Sequence, residues 1–392
     1  MTAEATTPTS PDAQDTVLEP APEAPSLDPV DPSAYLRTFR GEALRKAATA
    51  LAEGGAYVTT RALAQAATPH RTVWDTARWW RHVLGRRRPT WSTAHRIVWE
   101  TPIARLRDFT DGATPENGAA DVVPTLVLPP QAGHDSCIVD FAPTQSQMQV
   151  IRAAGLTRAF TLDWVGATQA TKGTTIEDYV AVVDRAVDTA LTGTGHSSVN
   201  LVGDCQGGWL SAIYAALHPE RINTLTLAGA PIDFHAGDTA IGASSRVTSR
   251  RFGTLPYRAM VAMGRGNMPG QFVLNGFIAM SPDAEIAKHV DLLRHLDDPA
   301  AVARYQTFED WFKHTQDVPG TFYLWLVEHL FSGNELITGD LEVGGRRVDL
   351  GVLECPLFLL GGATDHITPP VQVFRAADAV STSPDRVWRR TA

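Results

Sequence analysis

The apolar run Val199-Asn200-Leu201-Val202 ends in Gly203-Asp204-Cys205-Gln206-Gly207-Gly208 and passes at once into the helix-compatible Trp209-Leu210-Ser211-Ala212-Ile213. A strand that turns into a helix within two residues of a reactive side chain constrains a fold more than any bulk property. The turn is strained, which lifts the Cys205 side chain out of the sheet, and strand and helix can close around it only if Gly203 and Gly207 carry no side chain. The helix beginning behind Cys205 adds partial positive charge, which is expected to favour thiolate over thiol. It also leaves the Gln206 N–H free to face an oxyanion. The competing reading is a small cysteine buried at a strand end, a common fate for an unpaired thiol. The strand-turn-helix context and the three flanking glycines argue against it.

The rest of the chain supplies a setting for such a turn. Short apolar runs at Pro124 to Leu128, Ala159 to Trp164, Val199 to Gly203, Ile222 to Ala228, Pro356 to Leu360 and Arg386 to Arg390 read as strands. Helical patterns near Thr144 to Ala154, Ile176 to Leu191, Gly207 to Leu217 and Pro370 to Val380 separate them. That order implies a mostly parallel sheet covered on both faces, with residues 96–234 and 336–392 forming its core. Residues 235–335 are helical in pattern and rich in aromatics (Phe308, Trp311, Phe312, Phe322, Tyr323, Trp325), as expected of a cap inserted over a site. Gly344-Gly345 reads as a tight hairpin turn. No repeat is visible.

The first 32 residues hold seven acids and no Lys or Arg, with few large apolar groups, so they are expected to be disordered. Residues 33–95 read as a helical region. Tyr35, Leu36, Phe39, Leu44, Ala47 and Leu51 are spaced for one buried face, and Trp74, Trp79 and Trp80 are expected to pack. The formal charge of -9 comes largely from the acidic tail, leaving a nearly neutral body with no electrostatic argument for nucleic acid. Arg81, Arg86, Arg87 and Arg88 are most simply a solvated helix end. Three scattered cysteines, Cys137, Cys205 and Cys355, suit neither a disulfide framework nor a metal site. With no secretory start and no apolar stretch of about 18 residues, a cytoplasmic protein without a membrane span is expected.

Asp365, in Leu360-Gly361-Gly362-Ala363-Thr364-Asp365-His366-Ile367-Thr368, follows a late strand, where a catalytic triad places the acid that orients its histidine. Its alternative role is a cap for the next helix. Asp233 also ends a strand and is expected to be structural. A second oxyanion donor should come from the Pro129 to Gly133 loop, with Gln131 the candidate. Triad order calls for a histidine after Asp365, and none follows His366. Either the chain stops short of its base, or His366 or His134 serves in an unorthodox way.

Together these residues resemble the polyhydroxyalkanoate synthase family of α/β-hydrolase-fold enzymes, over about residues 95 to 390. The similarity runs through Thr101-Pro102, Pro129-Pro130, Ile138-Val139-Asp140-Phe141, Leu162-Asp163-Trp164, Asp178-Tyr179, the Cys205 box, His218-Pro219-Glu220, Pro231-Ile232-Asp233-Phe234, Val348-Asp349-Leu350 and Asp365-His366-Ile367. Trp209 and Pro369-Pro370 differ from the usual synthase wording and are closer to hydrolase-like members. The resemblance implies Cys205 as nucleophile and Asp365 as carboxylate, with 3-hydroxyacyl-CoA as substrate and no cofactor beyond that thioester. It further implies a polyester granule surface and a second copy or second synthase subunit as partners. A cysteine hydrolase, such as an intracellular depolymerase or esterase, and a non-catalytic granule-associated homologue remain as alternatives.

Overall fold

The computed structural model describes residues 31–66, 68–110 and 122–392. The expected disordered tail therefore lies outside the described residues, except that Asp31 and Pro32 open a helix. The Asp31 carboxylate accepts from the N–H groups of Ser33 (3.1 Å) and Ala34 (3.2 Å), satisfying donors that a helix start leaves free.

Eight strands form the central sheet: β1 (Arg96–Glu100), β2 (Ala104–Asp108), β3 (Thr125–Leu128), β4 (Ala159–Trp164), β5 (Val199–Asp204), β6 (Ile222–Ala228), β7 (Leu357–Gly361) and β8 (Val387–Thr391). Their spatial order is β1-β2-β4-β3-β5-β6-β7-β8. From β4 onward all neighbours are parallel, while β1 and β2 run antiparallel at one edge. This is the α/β-hydrolase fold. Its inner strands are apolar throughout because both faces are covered, and every residue of β3 and β4 is buried. Alternation divides the core. Leu126, Leu128 and Leu201 face one cluster shared with the helices Ile176–Leu191 and Gln206–Leu217, whereas Val127 faces a second with Met148, against which Val202 packs.

The edge pair β1 and β2 was not expected from the sequence. In β2, Ala104, Leu106 and Asp108 are buried while Arg105 and Arg107 point to the other face. There Arg107 Nη2 meets the buried Asp163 Oδ2 of β4 at 2.6 Å, and a strand carrying alternate arginines is satisfied by its neighbour.

The described α-helices of six or more residues are α1 (Pro32–Ala64), α2 (Pro69–Leu84), α3 (Gln147–Ala153), α4 (Ile176–Leu191), α5 (Gln206–Leu217), α6 (Ala240–Phe252), α7 (Leu255–Met263), α8 (Gly270–Met280), α9 (Pro282–Arg294), α10 (Pro299–Phe312) and α11 (Gly320–Trp325), and the helix expected at Pro370 to Val380 is split into Pro370–Phe374 and Ala376–Ala379. α4 begins with a reciprocal cap, in which the Thr175 hydroxyl accepts from the Asp178 N–H (3.4 Å) and the Asp178 carboxylate accepts from the Thr175 N–H (2.8 Å). Between β6 and β7, α6 to α11 and the π-helix Leu326–Ser332 make up the insertion.

The N-terminal helices pack on that insertion rather than on the sheet, with α1 lying along α9 and α6. At Gly54 an added Cβ would stand 2.8 Å from Val290 Cγ2, so the helices approach there by omitting a side chain. The expected buried face of α1 is only partly correct. Leu36 is buried, but Leu44 is 72 % and Leu51 62 % exposed, because the contact with α9 runs along the stripe containing Gly54. Of the three tryptophans, Trp79 packs and donates its indole N–H to His289 O at 2.8 Å, while Trp74 and Trp80 are largely exposed. Nor is the arginine run wholly solvated. Arg86 Nη2 lies 3.1 Å from Oε2 of Glu309, a fully buried carboxylate that needs its cation.

Candidate functional site

Cys205 has φ 51° and ψ −113°, a left-handed conformation uncommon for a residue with a side chain and costing about 1–3 kcal/mol. Backbone bonds hold it. Its N–H donates to Ala228 O of β6 (2.8 Å), and its carbonyl accepts from Gly208 N–H (3.0 Å). The flanking glycines are required sterically. A Cβ on Gly203 would lie 2.5 Å from Gly207 O and Gly208 Cα, one on Gly207 1.8 Å from Leu128 O, and one on Gly208 2.2 Å from Ala230 Cβ. The strained turn and the close packing read from the sequence are both present.

Cys205 opens onto a cavity of about 580 Å³, lined by the turn, by the loop after β3 and by the insertion. Its wall is mainly apolar, with Trp209, Phe234, Met260, Phe272, Phe322 and Leu326 among its residues. That size suits a medium organic ligand. Gln131 and Gln206 also line it. The Gln131 side chain is already engaged, its Oε1 accepting from the buried Tyr179 hydroxyl and its Nε2 donating to Val165 O at 3.3 Å. These bonds fix the loop, and any donor role for Gln131 falls to its backbone N–H.

The electrostatics around the sulfur oppose the thiolate that the helix start favours. Burial pushes the Cys205 thiol up to about 11, the Gln206 N–H draws it down, and the charges of Asp365 and Asp204 raise it further. Burial thus outweighs the helix end and favours the thiol form.

Asp365 stands on the same rim. Register places Asp204, Ala228 and Leu360 level across β5, β6 and β7, so the loop after Gly361 lies two strands from Cys205, about 10 Å at the usual strand spacing. Asp365 Oδ1 accepts from the N–H groups of Ile367 (2.8 Å) and Thr368 (3.0 Å), and both of those residues line the cavity. These contacts close a turn and do not cap the next helix, which starts at Pro370 behind Pro369, while the Asp365 charge is close enough to act on the Cys205 sulfur.

Neither alternative histidine reaches Cys205. His366 is exposed, and its Nε2 pairs with Ser281 Oγ at 3.1 Å, tying the loop to the start of α9. His134 is buried with its ring stacked on Phe312 (centroids 5.5 Å apart, planes 7° apart) and Nδ1 bonded to Ala132 O at 3.0 Å; burial pushes its pKa down. Among the described residues lining the cavity there is no histidine. Asp233 latches the insertion to the core, its Oδ1 accepting from Asn334 Nδ2 (2.9 Å) and from the N–H groups of His235 and Ala236.

Asp204, beside the nucleophile, is pushed up to about 6 by burial, while the Gln147 amide at 3.2 Å pulls the other way. A carboxyl that holds its proton more tightly folded than unfolded stabilises the fold when protonated, and that stabilisation is lost as pH rises through about 6. Asp204→Asn keeps an acceptor for Gln147, so it should raise stability at pH 7 by about 1–3 kcal/mol and change little near pH 4. Chemical denaturation at both pH values checks this.

Among the described residues no group of His, Cys, Asp and Glu is placed to hold a metal ion, and no helix is long and apolar enough to cross a membrane. The three cysteines are free. Sequence reasoning missed the contribution of α1, whose Leu36, Phe39 and Arg40 line the cavity beside the insertion. Only their apolar spacing was visible, and it spoke equally for simple packing.

Residues 110–386 match the model of a family described as "Protein of unknown function (DUF3141)". Among curated proteins, the chain is similar to the poly(3-hydroxyalkanoate) polymerase subunit PhaC of Allochromatium vinosum, with 29 % identity over 250 residues covering 63 % of this chain and 68 % of that protein. With the subunit of the same name from Haloferax mediterranei the identity is 31 % over 237 residues, 59 % of this chain. The match spans 46 % of that relative's length. Among solved structures, a Bacillus megaterium epoxide hydrolase aligns with 76 % of this chain and 91 % of its own, at 13 % identity and a TM-score of 0.43. A 2-hydroxy-6-oxo-6-phenylhexa-2,4-dienoate hydrolase from Rhodococcus aligns with 77 % and 91 %, at 14 % identity and a TM-score of 0.40.

Proposed function

Because the chain belongs to the family described as "Protein of unknown function (DUF3141)" and is related to poly(3-hydroxyalkanoate) polymerases, we propose that it is an acyltransferase using Cys205 to carry a 3-hydroxyacyl group from CoA to a hydroxyl acceptor. The observation that carries this reading is the thiol of Cys205, set on a strained glycine-flanked turn and opening into an apolar cavity.

Sγ attacks the thioester carbonyl, and the tetrahedral oxyanion is met by the Gln206 and Gln131 N–H groups. The C–S bond to CoA breaks, the new C–S bond to Cys205 remains, and the proton from Sγ ends on the departing CoA sulfur. A hydroxyl of a second 3-hydroxyacyl group then attacks the enzyme thioester, giving an ester and restoring the thiol. Thioester exchange is nearly thermoneutral, so a cysteine suits the carrier role. Moving the Sγ proton to the CoA sulfur calls for a proton carrier beside Cys205 in the first step. The apolar wall keeps water from competing for the intermediate.

Incubation with 3-hydroxybutyryl-CoA tests the proposal. CoA release with ester-linked oligomers is the expected result. CoA release with only free 3-hydroxybutyrate would make the protein a hydrolase, and no release with an intact fold would contradict an enzymatic role for this chain.

A further inference from the structure

The catalytic cavity is completed by a helix outside the hydrolase core. Leu36, Phe39 and Arg40, spaced three and four apart on α1, lie on one face of that helix and all line the cavity. Leu36 is buried and Arg40 exposed, so this face passes from the interior to the rim within about one helical turn. Arg40 is the only cavity-lining residue, among those described, with a formal charge at neutral pH. No described hydrogen bond or ion pair occupies its guanidinium. Nearby cations differ: Arg246 on α6 is paired with Asp238 at 3.7 Å.

An otherwise uncharged apolar wall with one free cation at its exposed edge suits a ligand with an apolar reacting end and an anionic far end. Coenzyme A thioesters have this form, since a long neutral pantetheine arm separates the acyl group from the phosphates. We infer that Arg40 is a substrate-binding residue that receives the phosphate groups of the CoA portion at the cavity rim while the acyl group lies against Cys205. The inference rests on the acyl-CoA reading above. It also gives the N-terminal helix a role in binding, because α1 then supplies the anion contact that the core and the insertion lack along this wall. Arginine suits the task, as its planar fork pairs bidentately with phosphate.

A test that needs no turnover uses the 2-pyridyl disulfides of CoA and of pantetheine. In each case Cys205 attacks the disulfide, a mixed disulfide forms on Cys205, and 2-thiopyridone leaves carrying the thiol proton. The two reagents differ in the phosphate-bearing nucleotide portion, and peptide mass mapping confines the readout to Cys205, with Cys355 as an internal reference. In the unaltered protein the CoA reagent should label Cys205 faster than the pantetheine reagent, with an advantage that shrinks as salt is added. The ratio of the two rates should fall about tenfold in Arg40→Ala, fall at least as far in Arg40→Glu, and fall less in Arg40→Lys, which keeps the charge and loses the fork. A ratio near one in the unaltered protein, an unchanged ratio in Arg40→Glu, or parallel slowing with both reagents would overturn the assignment. Failure of 3-hydroxybutyryl-CoA turnover would count against the proposed reaction and leave these ratios readable.

Discussion

Replacing Cys205 with alanine should reduce CoA release from 3-hydroxybutyryl-CoA by about 10⁴-fold or more, the scale on which removal of a catalytic nucleophile acts. The fold should survive. The lost atom faces a cavity, and alanine tolerates φ 51° no worse than cysteine does, since both carry a Cβ. Thermal melting of the variant should therefore stay within a few degrees of the unaltered protein. A variant that melts normally and still releases CoA at a comparable rate would remove this sulfur from the chemistry.

Gly207→Ala should act in the opposite way, through the fold. Its Cβ would be placed 1.8 Å from Leu128 O, and the obstacle is backbone at the end of a buried strand rather than a side chain that can swing aside. The helix behind Cys205 must then move off β3, at an expected loss of about 3 kcal/mol or more, the upper end of overpacking costs. Denaturant midpoints measure it. Gly55→Ala on α1, where nothing lies within 4 Å of the new atom, is the matched control and should be neutral or slightly stabilising. Equal stability of the two variants would show that the turn has more room than the glycine geometry states.

The contrast between these glycines shows which parts of the molecule could be read in advance. Gly203 is dictated locally, by strand and helix closing on one residue, whereas Gly207 and Gly208 make room for Leu128 and Ala230 of neighbouring segments; the turn and its cysteine were legible because all three glycines stand together around it. The parallel strands were legible for a related reason. Burial on both faces leaves β3, β4 and β5 with few polar positions, and such runs stand out. At β2 the same logic fails, because Arg105 and Arg107 look like solvent-facing charge until Asp163 of β4 is seen opposite them.

Other misreadings share that long-range origin. On α1, one apolar stripe contains Leu44 and Leu51 and another contains Gly54, and only the close approach of α9 at Val290 selects between them. Arg86 could be assigned to the buried Glu309 only once α10 was placed against the N-terminal region. The ionisation of Cys205 is the most instructive case. A helix start favours a thiolate locally, yet burial and two carboxylates, one of them 160 residues further along the chain, push the thiol to about 11. Arg40 belongs to the same class, since its place on the cavity wall depends on how α1 docks on the insertion.

The most direct test of the central claim is to trap the enzyme-bound intermediate. The protein, exposed to 3-hydroxybutyryl-CoA, quenched in acid and digested, should yield a hydroxybutyryl thioester on the peptide containing Cys205, sensitive to hydroxylamine and lost in Cys205→Ala. An acyl group found instead on Cys137 or Cys355, or CoA released while Cys205 stays unmodified under every quench time, would contradict covalent catalysis at this turn.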